Sequence, residues 1–346
     1  MELYQEELFN SIKIYQNDFD NMINSFFKDK ENFNNLIKKY SCDSEDNVDK
    51  NYLLRARLSF SILYYKNLKA LNKESVKNII IYLFNEEIKD RRTSKYKGIG
   101  IALEVLTFLL NMYNKDNKEL FEMAKKSNND CAIGYDTNVR FEIDIEKLSI
   151  DYCIYYALEL GFKDLYYKLI DIWKNSVTKW DRFSLEKLRD FEIKVENKNG
   201  ELEANKQLYE LSKNDYTKNK KNEIMSKRFL FYLASYLSNY LDSLIRFSNY
   251  NEAYDIIIDN IYDIKLMNNF YTTNVGIFIL NSALNIIINI DDDDKKSKLW
   301  SLIREAFLNE CNRYSKNIYE NSIKCAEYMK DNYIKEKIIK NIHTSN

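Results

Sequence analysis

The chain of 346 residues carries 52 Lys and Arg against 53 Asp and Glu, a formal net charge of -1, so no global field draws it to nucleic acid or an anionic membrane. With no proline and only six glycines it lacks the turn and breaker residues that a β-rich or loop-rich chain of this length requires. Helix is therefore the default state. Lys, Asn, Ile and Tyr crowd the sequence, as an AT-rich coding sequence would also produce, so the helix expectation rests mainly on periodicity.

In chain order, an amphipathic helix is expected over Leu3–Lys28, with Leu8, Ile12, Tyr15, Phe19, Met22, Ile23 and Phe26 at threes and fours. A shorter helix to about Tyr40 follows. Ser41–Lys50 is polar, acidic and aperiodic and reads as a loop, which makes residues 1–50 an N-terminal helical cap and 51–346 a helical-hairpin domain. Hairpins are expected over Tyr52–Asp90, Ile101–Ser127, Asp144–Asn175, Phe183–Asn214, Asn222–Lys265 and Tyr271–Tyr314, with a last helix to about Ile342. Between them, Arg91–Gly100 and Asn128–Arg140 are the least helical stretches. Phe141–Glu146 alternates apolar and acidic residues, so a short strand competes there with a helix resuming near Asp144. Val275–Ile290 is too short and too often interrupted by Asn281, Asn285 and Asn289 to span a bilayer, and reads as a buried core helix.

An internal similarity links two helix boundaries, Leu160-Gly161-Phe162-Lys163-Asp164-Leu165-Tyr166 and Ser248-Asn249-Tyr250-Asn251-Glu252-Ala253-Tyr254. A looser version is Asn199-Gly200-Glu201-Leu202-Glu203-Ala204. Aligning Phe162, Leu202 and Tyr250 gives spacings of 40 (202 minus 162) and 48 (250 minus 202). The turn resembles that of the tetratricopeptide repeat, best at Asn249-Tyr250-Asn251-Glu252-Ala253. The family's helix-ending proline is absent, and the spacings exceed its period of about 34 residues. The resemblance implies an array of helix-turn-helix units with Ala253 packed between the helices of its hairpin, and it carries no ligand-binding residue across. The fold expectation is all-α: stacked antiparallel helical hairpins forming a tetratricopeptide-like solenoid, with a compact helical bundle as the alternative. At least two-thirds helix and no sheet follow, against about a third in an average domain.

The only histidine, His343, sits in a C-terminal tail, so triads and histidine-based metal sites have no base or ligand to use. No phosphate-binding glycine loop occurs, and no catalytic residue, metal site or cofactor is expected. Five cysteines at irregular spacing suit reduced thiols. Glu86, Glu87 and Asp90, and separately Glu142, Asp144, Glu146 and Asp151, are carboxylate clusters that read best as solvated helix faces paired with Lys89, Arg91 and Lys147. Asp291–Asp294 reads as an interhelical loop.

The leading functional expectation is a non-enzymatic cytoplasmic binding protein that takes a peptide or protein on a concave helical surface, as a regulator or adaptor. Tyrosine combines broad apolar contact with a hydroxyl, and asparagine amides pair with a peptide backbone. The expected ligand residues are Tyr152, Tyr156, Tyr166, Trp173, Asn205, Tyr209, Tyr236 and Asn239. One alternative is a nucleic-acid-binding or Mg-dependent nuclease-type protein using Lys218, Lys220, Lys221, Lys227 and Arg228. The other is a structural oligomer. No membrane partner is expected: the acidic N-terminus lacks the layout of a secretory signal.

Overall fold

The computed structural model describes residues 1–43, 48–93, 98–113, 116–308 and 314–344. The described residues are 77% helical with no strand among them, which meets the all-α expectation and its two-thirds threshold. Residues 141–144 are irregular, Ile145–Lys147 form a single 3-10 turn, and helix resumes at Ile150 behind the Ser149 N-cap rather than near Asp144. No described helix is long and apolar enough to cross a membrane. Cys311 and the side chain of His343 lie outside the described residues, as do parts of the Ser41–Lys50 and Arg91–Gly100 loops.

Two compact units divide the chain, Met1–Ser176 and Val177–Asn346. The division does not fall in the acidic loop after Tyr40, where the cap was expected to end. The first unit holds α1 (Leu3–Lys13), α2 (Gln16–Ser25), α3 (Lys30–Lys39), α4 (Tyr52–Leu63), α5 (Lys73–Thr93), α6 (Ile101–Tyr113), α7 (Lys118–Lys125), α8 (Asn129–Gly134), α9 (Ile150–Glu159) and α10 (Lys163–Ser176). The expected single opening helix is two, parted at Ile14 and Tyr15. Their apolar residues still face inward, with Leu8, Ile12, Phe19 and Met22 fully buried. Residues of the expected cap pack inside this unit: α1 lies against α4, α9 and α10. Gln5 Nε2 fixes it there by donating to the carbonyls of Glu146 at 2.8 Å and Leu148 at 2.9 Å. The α9–α10 hairpin forms as its periodicity implies, whereas α6 packs on α4 and α5.

The second unit contains α11 (Arg182–Lys194), α12 (Lys198–Asn219), α13 (Glu223–Arg246), α14 (Tyr250–Ile264), α15 (Asn274–Asn289), α16 (Asp293–Ile303), α17 (Lys316–Tyr328) and α18 (Asn332–Thr344). From α13 to α15 each helix packs on the next but one as well as on its neighbour: α13 on α15, α14 on α16, α15 on α17. Alternate helices thus stack in two layers within this unit, burying a core that includes Leu237, Leu241, Ile257, Leu280, Leu284 and Leu299. Each such side chain contributes about 1.5–3 kcal/mol on burial. Ala253, the small residue after the α13–α14 turn, is fully buried.

The turns recur more regularly than their sequences. At Gly161, Glu196, Ser248 and Lys330 the backbone enters the left-handed region, with φ of 67°, 58°, 62° and 57°. In each case the next residue's N–H reaches back to a carbonyl five residues earlier: Phe162 to Ala157, Asn197 to Glu192, Asn249 to Leu244 and Asp331 to Ala326. This is the Schellman closure of a helix C-terminus. Asn197 is therefore the equivalent of Phe162 and Asn249, which corrects the alignment at Leu202 and, by one residue, at Tyr250, and adds a turn at Lys330. Glycine adopts this conformation freely and occupies only the first of the four positions. Ser248→Gly is expected to raise stability by about 0.5–1 kcal/mol by relieving the Cβ cost. A denaturant melt checks it, and a loss of stability would show that Ser248 serves the fold in another way.

Candidate functional site

The second unit carries a hollow of about 550 Å³ lined by Arg189 and Ile193 of α11, Glu196 in the turn, Lys198, Glu201 and Asn205 of α12, and Asn239, Asp242 and Arg246 of α13. A neighbouring hollow of about 270 Å³ is lined by Ser238, Asn239 and Asp242 of α13 with Phe278, Asn281 and Ser282 of α15. The two share Asn239 and Asp242, so they form one groove across α11, α12, α13 and α15. The larger volume falls within the usual range of ligand sites, about 300–1,000 Å³.

Helical spacing places these groups. Asn239, Asp242, Ser243 and Arg246 recur at threes and fours along α13, opposite its Leu237, Leu241 and Leu244 core face. Arg246 bridges the wall: its Nε donates to Asp242 Oδ2 at 2.9 Å and its Nη1 to Glu201 Oε2 at 3.2 Å, while Nη2 bonds Glu201 Oε1. Those bonds, Glu201's first, hold the guanidinium above its ordinary pKa. Arg189 donates to Asp190 Oδ1 at 3.1 Å. The lining of the larger hollow thus has three cations and three carboxylates, Arg189, Lys198 and Arg246 against Glu196, Glu201 and Asp242, and no net charge. Apolar contact is offered by Ile193 in one hollow and Phe278 in the other, which are 46% and 63% exposed.

The structure brings together two of the eight sequence-predicted ligand residues. Asn205 and Asn239 line the groove. Tyr209 and Tyr236 belong instead to the core of the second unit: Tyr209 stacks on Tyr240 with ring centroids 5.7 Å apart, and Tyr236 donates to Glu186. In the first unit Tyr156, Tyr166 and Trp173 are buried, and Tyr152 is 57% exposed with its ring 6.0 Å from that of Tyr156. Apart from Tyr152, their rings meet the apolar periodicity of their helices, so they pack inward. Arg189, Ile193, Asp242, Arg246, Phe278 and Asn281 escaped the sequence reading. The charged ones resemble ordinary solvated residues, and Asn281 reads as an interruption of the core helix.

Elsewhere, the expected solvated face at Glu86, Glu87 and Asp90 is buried. Glu87 is fully enclosed and accepts from Arg55 Nε at 2.5 Å and Arg91 Nη2 at 3.2 Å. Arg55 also bonds Asp49. Burial raises the Glu87 carboxyl, opposed by the two guanidiniums, and burial first, then the charges of Glu87 and Asp49, acts on Arg55, which ends above its ordinary value. Cys42, Asp49 and Asp90 present ligand atoms within 4.8 Å of one another. The Arg55 Nη2 that bonds Asp49 also lies 3.9 Å from Asp90 Oδ2, so this donor set already holds a cation, and burial pushes the Cys42 thiol up to about 11. A metal ion does not fit there without displacing Arg55. The second carboxylate cluster is local capping: Glu146 N–H donates to Asp144 Oδ1 at 3.2 Å, and Lys147 pairs with Asp144 at 3.5 Å. Another hollow of the first unit, about 390 Å³, is lined by Tyr52, Arg91, Gly100, Ile101, Glu104, Tyr155 and Glu159. Burial, then Glu159 and Asp136, raise the Glu104 carboxyl there.

In the basic stretch, Lys220 pairs with Asp263 at 2.6 Å, Lys227 with Glu223 at 3.0 Å, and Arg228 lies 5.7 Å from the Tyr232 ring. Lys218 and Lys221 are both exposed.

No family model and no curated protein matches the chain. Among solved structures, one described as a circular tandem repeat protein with novel repeat topology and enhanced subunit contact surfaces matches at 12% identity. That match covers 98% of this chain and 71% of the other, with a TM-score of 0.17. At that score the likeness carries no argument about fold detail or function.

Proposed function

We propose that the second unit is a non-enzymatic recognition module that takes an extended peptide segment in the groove across α11, α12, α13 and α15. The observation that supports it is the pair of contiguous hollows, with carboxamides and self-neutralised charge between Ile193 and Phe278. Such a surface suits a ligand that offers backbone hydrogen bonds throughout and apolar side chains at intervals. A degenerate tetratricopeptide-like array acting as a cytoplasmic regulator or adaptor is the role this reading carries. The nucleic-acid alternative is weaker, because Lys220 and Lys227 are engaged by Asp263 and Glu223, which reduces the field available to phosphates.

The test is selection from a displayed random-peptide library, followed by anisotropy titration of labelled hits. Phe278→Ala is expected to weaken a selected peptide about tenfold or more, since burying a phenyl ring contributes about 1.5–3 kcal/mol and 1.4 kcal/mol is a factor of ten. Selected peptides that bind Phe278→Ala and wild type alike would remove the groove from the account.

A further inference from the structure

Resting on that peptide-groove reading, we infer that the groove receives main-chain N–H groups of its ligand on two carboxamide oxygens, Asn205 Oδ1 and Asn281 Oδ1. Both atoms are buried and neither has a hydrogen-bond partner in the protein, and each belongs to a residue lining one of the two adjoining hollows. Asn205 is only 2% exposed. A buried acceptor left unpaired costs stability, so its retention at a concave surface points to a donor supplied from outside.

The orientation of the Asn205 amide follows from its neighbours. Ser243 Oγ donates its proton to the Asn239 carbonyl at 3.1 Å, so the hydroxyl oxygen can only accept from Asn205. The amide therefore turns its NH2 to Ser243, at 2.7 Å, and Oδ1 is left over. The arrangement fixes the polarity of the site: it calls for a hydrogen-bond donor.

Charge selects the kind of donor. An ammonium or guanidinium group would seek an uncompensated carboxylate, but of the three that line the larger hollow Glu201 and Asp242 are held by Arg246, and the third, Glu196, lies exposed in the turn after α11. A neutral amide N–H meets no such competition. In an extended segment, N–H groups on one side recur every second residue, about 6.6 Å apart, which suits acceptors in neighbouring hollows that share a wall at Asn239. Recognition of this kind reads backbone conformation, with sequence preference left to the positions beside Ile193 and Phe278.

The experiment uses the full chain and the peptides selected above, with free and with acetylated N-termini. Single N-methylation along a selected peptide is expected to lower affinity about tenfold or more at alternate positions and little between them, each lost donor leaving an acceptor unpaired. Asn205→Leu, which removes the orphan oxygen and leaves Ser243 Oγ within 3.4 Å of Arg246 Nη2, is expected to lower affinity similarly while the free protein melts at the same or a higher temperature. A residue with only a structural role would lose both. N-terminal acetylation should leave binding intact, and a loss on acetylation would assign the donor to a terminal ammonium and overturn the main-chain assignment. Selected peptides sensitive to Phe278→Ala but indifferent to N-methylation and to Asn205→Leu would leave the groove standing and defeat this inference. If the selected peptides are insensitive to Phe278→Ala and to Asn205→Leu alike, the groove reading and the inference fall together.

Discussion

Arg55→Met is expected to destabilise the first unit by about 3–5 kcal/mol, the range seen when one partner of a buried ion network is removed. Arg55 is fully buried between Asp49 and Glu87, with Asp90 at 3.9 Å, and methionine replaces most of its volume but none of its charge. Arg91 would remain, 3.2 Å from Glu87 and 3.3 Å from Asp90, as the single buried guanidinium for three buried carboxylates. The sign of the pH dependence follows. Burial already raises the Glu87 carboxyl, and without Arg55 it loses the first of the two guanidiniums that oppose the rise, so folding favours its protonated form. The penalty is then smallest at acid pH and grows as pH rises through the folded-state values. Denaturant melts of the variant and the parent at neutral and mildly acid pH measure both. A loss under about 1 kcal/mol at neutral pH, typical of an exposed pair, would show that the network is open to water.

Gly276→Ala is expected to cost about 3 kcal/mol, the upper end for overpacking, and to shift the melting temperature by roughly 2–4 °C per kcal/mol. A Cβ on Gly276 would stand 1.8 Å from the Phe270 carbonyl oxygen and 2.6 Å from its carbon, both backbone atoms with no rotamer to change. That oxygen also accepts from Thr273 Oγ1 at 2.8 Å, while the same Oγ1 caps α15 by accepting from Gly276 N–H at 3.0 Å. The first turn of α15 is thus fitted onto the turn before it, and a methyl group must push the two apart. Because α15 carries Phe278 and Asn281, the variant should also weaken selected peptides. An unchanged melting temperature would contradict the close approach at this turn.

Local pattern made the helices legible. Val275–Ile290 was expected as a core helix and is α15, Asn274–Asn289, because its apolar residues recur at helical spacing around the asparagines. Contacts between distant segments left no such trace. The Gln5 amide meets the Glu146 and Leu148 carbonyls, which are 141 and 143 residues away and carry no side-chain signal. The buried network was misread because, in a chain with 30% charged residues, Glu86, Glu87 and Asp90 look like any exposed triplet. The clue was Arg55, which stands among Leu54, Ala56 and Leu58 on a helix buried around most of its circumference. Turns at Glu196 and Lys330 were missed or misaligned since neither has the glycine that marks Gly161. Within the groove, Asn205 and Asn239 were reached by the argument that amides pair with peptides. Asn281 reads from sequence as an interruption of the core helix, and most of the expected tyrosines lie where the core claims their rings first.

The central claim is that the groove across α11, α12, α13 and α15 takes an extended peptide. Photo-crosslinking tests it most directly, using selected peptides of about seven residues, which extend over about 23 Å at about 3.3 Å per residue. A photoreactive phenylalanine is carried in the peptide, and adducts are located by mass spectrometry of the intact chain's digest. The account predicts adducts concentrated on the segments bearing Ile193, Asn205, Asn239 and Phe278, reduced by an excess of unlabelled peptide. Competable adducts on the first unit's hollow around Tyr52 and Glu104, or scattered over both units, would contradict it.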